Sequence, residues 1–180
     1  MNGSQAYFLS AYVDLERRVQ KRMTALCAER CRRCEKVCCK FDYCRESKES
    51  VFLRQVYDHL ATPSAWRTDS GWLGPKGCTL PAGRPPVCYA FCCDAIRAAQ
   101  PNPMARYALD LLSDLITYAG RNARGNRHLV EVTDLAAINM PRLTKQLRLA
   151  EKIMEQLADY WDSKIEIDLA MCRPVRRYGR

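Results

Sequence analysis

The placement of the cysteines constrains this chain more than any other feature. Ten of its 11 cysteines lie between residues 27 and 93, in two runs. The first run is Cys27, Cys31, Cys34, Cys38 and Cys39, followed by Cys44. The second is Cys78, Cys88, Cys92 and Cys93, and Cys172 stands apart. A fold must gather such thiols, bury them singly or oxidise them. Met1 to Tyr12 lacks the basic, apolar and cleavage regions of a secretory leader, so a reducing, cytoplasmic setting is expected and a disulfide framework is not. A vicinal pair such as Cys38-Cys39 closes into a disulfide only with a distorted peptide. Burial as small hydrophobes suits Cys27, Cys172 and Cys44 but accounts poorly for ten thiols in two runs. Metal or iron–sulfur ligation is the reading that accounts for the runs.

The steps 27, 31, 34 and 38 would line the thiols along one helix face. Cys27 to Cys38 then spans roughly 16 Å of rise at about 1.5 Å per residue. A tetrahedral zinc holds its sulfurs at about 2.3 Å, and so about 4 Å from one another. One centre cannot take all four from an unbroken helix. Either the helix breaks between residues 34 and 39, or some of these cysteines are core, and further ligands must come from the second run. The 27-31-34 spacing is also that of the radical-SAM cluster motif. That motif sits in a loop after the first strand of an α/β barrel, and this chain lacks the strand–helix alternation of such a barrel.

The rest of the sequence reads as mainly α. Phe8, Tyr12, Leu15, Val19, Met23 and Leu26 recur at helical spacing and predict one long helix over residues 5–39. A second helix is expected over 44–61, ended by Pro63, and a third over 87–100. Asn102 as N-cap and Pro103 at the first helical position predict a fourth, to residue 119. A fifth runs from Pro141 to residue 161 on the stripe Leu143, Leu147, Ala150, Met154 and Leu157. Residues 63–86 carry most of the prolines and glycines and form a long loop, which Trp66, Trp72 and Leu73 should fold back onto the protein. Residues 129–138 look strand-like, with Thr133 or Asp134 as a cap, and 164–169 suit a short strand or a helix extension. The expected architecture is an irregular domain of about five helices over residues 1–170, with a cysteine-rich core region at 27–95 stapled by a metal centre and a basic tail at 171–180.

The formal net charge of +9 is unevenly spread. Residues 17–40 hold nine Arg or Lys against Glu29 and Glu35, and the tail adds Arg173, Arg176, Arg177 and Arg180. Such a segment can attract nucleic acid or an acidic protein. It equally supplies counter-charge for thiolates, which is the favoured reading. No apolar, charge-free stretch is long enough to span a membrane. The apolar stripe of the first helix is a candidate homodimer face.

Two stretches carry a resemblance. Cys31-Arg-Arg-Cys34-Glu-Lys-Val-Cys38-Cys39 is similar to the signature of the CxxCxxCC zinc- or iron-chelating family (YkgJ-like proteins). So is Gly77-Cys78-Thr-Leu80, followed by Arg84-Pro85-Pro86-Val87-Cys88-Tyr89-Ala90-Phe91. The flagellin lysine methylase group, which looks related, is associated with an iron–sulfur cluster. The resemblance covers residues 27–95. It implies Cys31, Cys34, Cys38, Cys39, Cys78 and Cys88 as metal ligands of a 4Fe-4S cluster or zinc. This chain departs from the pattern in two ways. One extra residue precedes the vicinal pair, and the cysteine usual between Cys78 and the Arg-Pro step is missing. Cys92, Cys93 or Cys44 could replace it. Pro85 and Pro86 stiffen the approach to Cys88, and Arg84 could donate hydrogen bonds to ligand sulfur from behind the ligands. Tyr89 and Phe91 are expected to shield the site.

Other chemistry is thin. His59 and His128 are weak ligand candidates, and Asp110 and Asp114 read as a solvated pair. No phosphate loop, nucleophile elbow or His-Glu-x-x-His is found. The expectation is a cysteine-ligated metal-binding protein. The alternatives are a basic nucleic-acid- or protein-binding module with a structural zinc, and an iron–sulfur-dependent modifying enzyme.

Overall fold

A computed structural model describes residues 3–34, 38–60, 65–75, 77–163 and 165–176. The elements are α1 (Gly3–Arg32), α2 (Phe41–Glu49), α3 (Val51–Asp58), a two-stranded hairpin of β1 (Leu73–Gly74) and β2 (Gly77–Cys78), α4 (Val87–Ala90), α5 (Asp94–Ala98), α6 (Pro103–Gly120), α7 (Met140–Ser163) and α8 (Leu169–Arg176). The chain is mainly helical, as expected. None of its described helices is long and apolar enough to cross a membrane.

The core is built by α1, α6 and α7, which pack on one another. Phe8, Tyr12, Leu15 and Val19 of α1 are buried with Leu109, Leu112, Leu115 and Ile116 of α6 and with Leu143, Leu147, Ile153 and Leu157 of α7. The apolar stripe of α1 is therefore spent inside the chain. Helix α6 starts as its sequence dictates: the Asn102 side chain accepts from the Ala105 N–H at 2.8 Å, with Pro103 at the first helical position.

The expected long helices are shorter than their periodicity suggests. Helix α1 ends at Arg32, not near residue 39. The expected second helix divides at Ser50, whose hydroxyl accepts from the Leu53 N–H and donates to the Val130 carbonyl at 2.8 Å. That bond to a segment distant in sequence fixes Ser50 in extended backbone and starts α3 afresh. The expected third helix divides at residues 91–93, leaving α4 and α5.

Residues 129–138 are not strand. They form two 3-10 turns, Leu129–Glu131 and Leu135–Ala137, capped by His128 and Asp134. The residues counted with a basic tail are in part a packed helix: Cys172 and Val175 of α8 are buried against α6. Asp110 and Asp114 are not a solvated pair, because Arg97 pairs with Asp110 and Arg176 with both. The expected stop at Pro63 and the ends of the tail, Arg177 and Arg180, lie outside the described residues.

Candidate metal centre

The loop over residues 65–86 folds back as its tryptophans require. Trp72 is buried, packs edge-on to Trp66 with ring centroids 4.7 Å apart, and joins Cys44 and Leu80 in a small second core. Gly71 makes this possible. It holds a φ of 61°, and a Cβ there would lie 2.8 Å from the Cys44 Cβ and 3.1 Å from the Trp66 ring. The hairpin then turns Cys78 toward α4, and Gly77 brings its backbone beside the Cys39 thiol.

The segment leading to Cys88 is held by a carboxylate that the sequence reading missed. Glu16 of α1 is fully buried. It accepts from the Gly83 N–H at 2.9 Å, the Arg84 N–H at 2.8 Å and the Tyr89 hydroxyl at 2.7 Å. Burial pushes its carboxyl above the ordinary value, and those three donors and the Arg84 charge pull it back. A signal for this role was present: Glu16 stands one turn after Tyr12 on the apolar stripe, where a charge must find partners. Tyr89 thus serves Glu16 and does not shield the site. Phe91 lines the cavity while staying 58% exposed.

Arg84 lies in the cavity wall beside the ligand candidates, and its guanidinium bonds to backbone carbonyls. Its guanidinium donates to the carbonyls of Cys78 and Leu80, each at 2.9 Å. The arginine ties the hairpin to the Arg-Pro segment and sets its charge beside the thiols.

The thiols fall into two sets. In the first, Cys39, Cys44, Cys78 and Cys88 line one cavity of about 210 Å³, with Cys38, Arg84 and Phe91 also in its wall. Burial pushes the Cys88 thiol up to about 12. Arg84 opposes the rise, and Cys78, Cys39 and Cys44 add to it. Burial likewise raises Cys78 against the pull of Arg84, with Cys44 and Cys39 adding. In the second set, Cys27 of α1 hydrogen-bonds Cys92. That contact, then burial, raises Cys27, and the same contact lowers Cys92. Cys31 is pushed up to about 11, first by burial and then by Cys27, Cys38, Cys93 and Cys34. Cys38 stands between the sets: burial raises it, and it feels Cys39 on one side and Cys93 and Cys34 on the other.

Of the expected ligands, Cys39, Cys78 and Cys88 therefore meet with Cys44, while Cys31, Cys34, Cys92 and Cys93 gather elsewhere. Cys172 is buried under α8, His59 ends α3, and His128 is a cap. As the side chains stand, no three His, Cys, Asp or Glu among the described residues are grouped to hold an ion.

The basic run over 17–40 is partly neutralised. Arg22 pairs with Asp162 at 3.0 Å and lies over Trp161, and Arg18 and Arg33 meet Asp14 and Glu29. Comparison with known protein families, characterised proteins and solved structures finds no match. The likeness to cysteine-rich chelating proteins rests on the motif residues alone.

Proposed function

We propose that this protein binds an iron–sulfur cluster through Cys39, Cys44, Cys78 and Cys88, with Cys38 at the rim. The observation that carries the reading is the convergence of four thiols from three separate segments on one cavity backed by Arg84. Ligands drawn from separated segments suit a four-iron cluster, which takes four thiolates. The cavity supports the cluster over a single zinc. Four sulfurs about 2.3 Å from one ion leave no space between them. Here the thiols share the wall of a cavity of about 210 Å³ with side chains such as Tyr43, Leu73 and Phe91, which leaves room for a group larger than one ion.

Burial and mutual repulsion keep Cys78 and Cys88 protonated when nothing else acts on them. A cationic group reverses that balance, so loading releases protons. Arg84 offsets part of the negative charge four thiolates bring. When bound, such a cluster can accept and donate single electrons. The residues around it fix its ligands and, through Phe91, cover one side.

The test is anaerobic purification with iron and sulfide analysis and a visible spectrum. Iron in the protein, with the broad absorption of a thiolate-bound cluster, is expected, and Cys78→Ala with Cys88→Ala should abolish it. A colourless protein carrying zinc at these cysteines would replace the cluster by a structural zinc site. A folded chain with neither metal would end the proposal.

A further inference from the structure

We propose that Cys27, Cys31, Cys92 and Cys93 form a second thiolate site, distinct from the cavity centre, for one thiophilic divalent cation of the zinc type. The proposal goes beyond the cluster reading and uses none of its four ligands.

The break between α4 and α5 carries the argument. On a continuous helix over 87–100, Cys88 and Cys92 would stand one turn apart on the same face. The backbone is extended at Phe91 and again at Cys93, and α5 begins at Asp94. This interruption sends Cys88 to the cavity with Cys78 and Arg84. It sends Cys92 into the core, where its thiol meets that of Cys27. Helix α5 packs on α1, so Cys93 comes within electrostatic reach of Cys31. Cys27 and Cys31 are themselves one turn apart near the end of α1. A rigid i, i+4 pair therefore faces a sequential pair across a helix contact.

Two further observations fit a cation. The Arg97–Asp110 pair beside Cys92 carries no net charge, so a cation supplies the positive charge that these thiolates lack. None of the four thiols lines the 210 Å³ cavity. A compact tetrahedral ion with bonds of about 2.3 Å suits them better than a cluster does. Cys27 and Cys92 already touch. Closing the site requires side-chain rotation at Cys31 and Cys93, and both have solvent on one side.

The experiment uses the full chain, prepared without oxygen, stripped and titrated with cobalt(II) as the zinc probe. Elemental analysis and the visible bands of tetrahedral cobalt thiolate are followed in parallel. The double variant Cys31→Ser/Cys93→Ser should lose one cobalt per chain and still take up a cluster at the cavity when reconstituted with iron and sulfide. The variant Cys78→Ser/Cys88→Ser should keep that cobalt and lose the reconstituted cluster, so the two sites can fail separately. An unchanged cobalt content and spectrum in Cys31→Ser/Cys93→Ser would overturn the proposal. So would loss of all metal in both double variants, which would mean one shared centre. Should a variant fail to fold, alkylation mapping of the unmodified protein decides. Cobalt should protect Cys31 and Cys93 from a maleimide, and equal labelling with and without cobalt would refute the site. A Cys27–Cys92 disulfide recovered from the loaded protein would refute it as well.

Discussion

Glu16 shows how much one side chain can organise. Its three donors belong to residues 83, 84 and 89, so a single carboxylate joins α1 to the whole approach to Cys88. Truncation would strand a buried N–H, a half-buried N–H and a buried hydroxyl. Glu16→Ala should therefore cost about 3 kcal/mol or more in urea unfolding. Glu16→Gln, which keeps an acceptor, should cost less. The neighbouring Tyr12 presents the opposite case. Its ring is wholly buried, and its hydroxyl has no hydrogen-bond partner among the described residues. Tyr12→Phe should keep the packing against Phe52 and raise stability by about 1 kcal/mol, read as a higher urea midpoint with an unchanged slope.

At the scale of elements, the ends matter more than the middles. The cores of α6 and α7 were legible because their apolar period is unbroken and α6 carries its own N-cap. The breaks at Ser50 and at residues 91–93 were not legible. The first depends on the Val130 carbonyl, which is remote in sequence. The same limit governed the site. The motif residues marked the cysteine-rich region, but which thiols come together depends on the α4–α5 break.

His128 illustrates a short element that depends on a charge state. It caps the first 3-10 turn: its Nδ1 accepts from the Val130 N–H, so Nε2 carries the hydrogen and faces the Thr117 carbonyl at 3.2 Å. Burial lowers its pKa from the ordinary 6.5. A depressed folded value means that the neutral ring is favoured in the fold. The associated stability is complete above the unfolded value near 6.5 and is lost as pH falls through the folded value. Urea unfolding across this range should show the native chain losing more stability in acid than His128→Asn, which caps without titrating.

For the whole molecule, two cores of unequal strength stand side by side. The large one is closed by helices from both ends of the sequence. The small one, around Trp72, Leu80 and Cys44, has little apolar mass of its own. Under the cluster reading, loading joins α2, the hairpin and α4 at one point and stabilises mainly this smaller part. A ligand present at about a thousand times its dissociation constant adds about 4 kcal/mol to the state that binds it. The loaded protein should accordingly unfold at a higher temperature than the stripped one. Hydrogen exchange should slow first in residues 38–60 and 65–90. Equal protection with and without metal would place the centre outside these segments.

The union of α1 with α6 and α7 also sets an order of events during synthesis. The apolar stripe of α1 is made first, yet its partners end at Ser163. At about 5–20 residues per second, that stripe waits roughly ten seconds for its cover. All ten clustered thiols have left the ribosome before then. They emerge reduced and unenclosed, beside a greasy helix that has nothing yet to rest on. A newborn chain of this kind leaves both open until α7 is made.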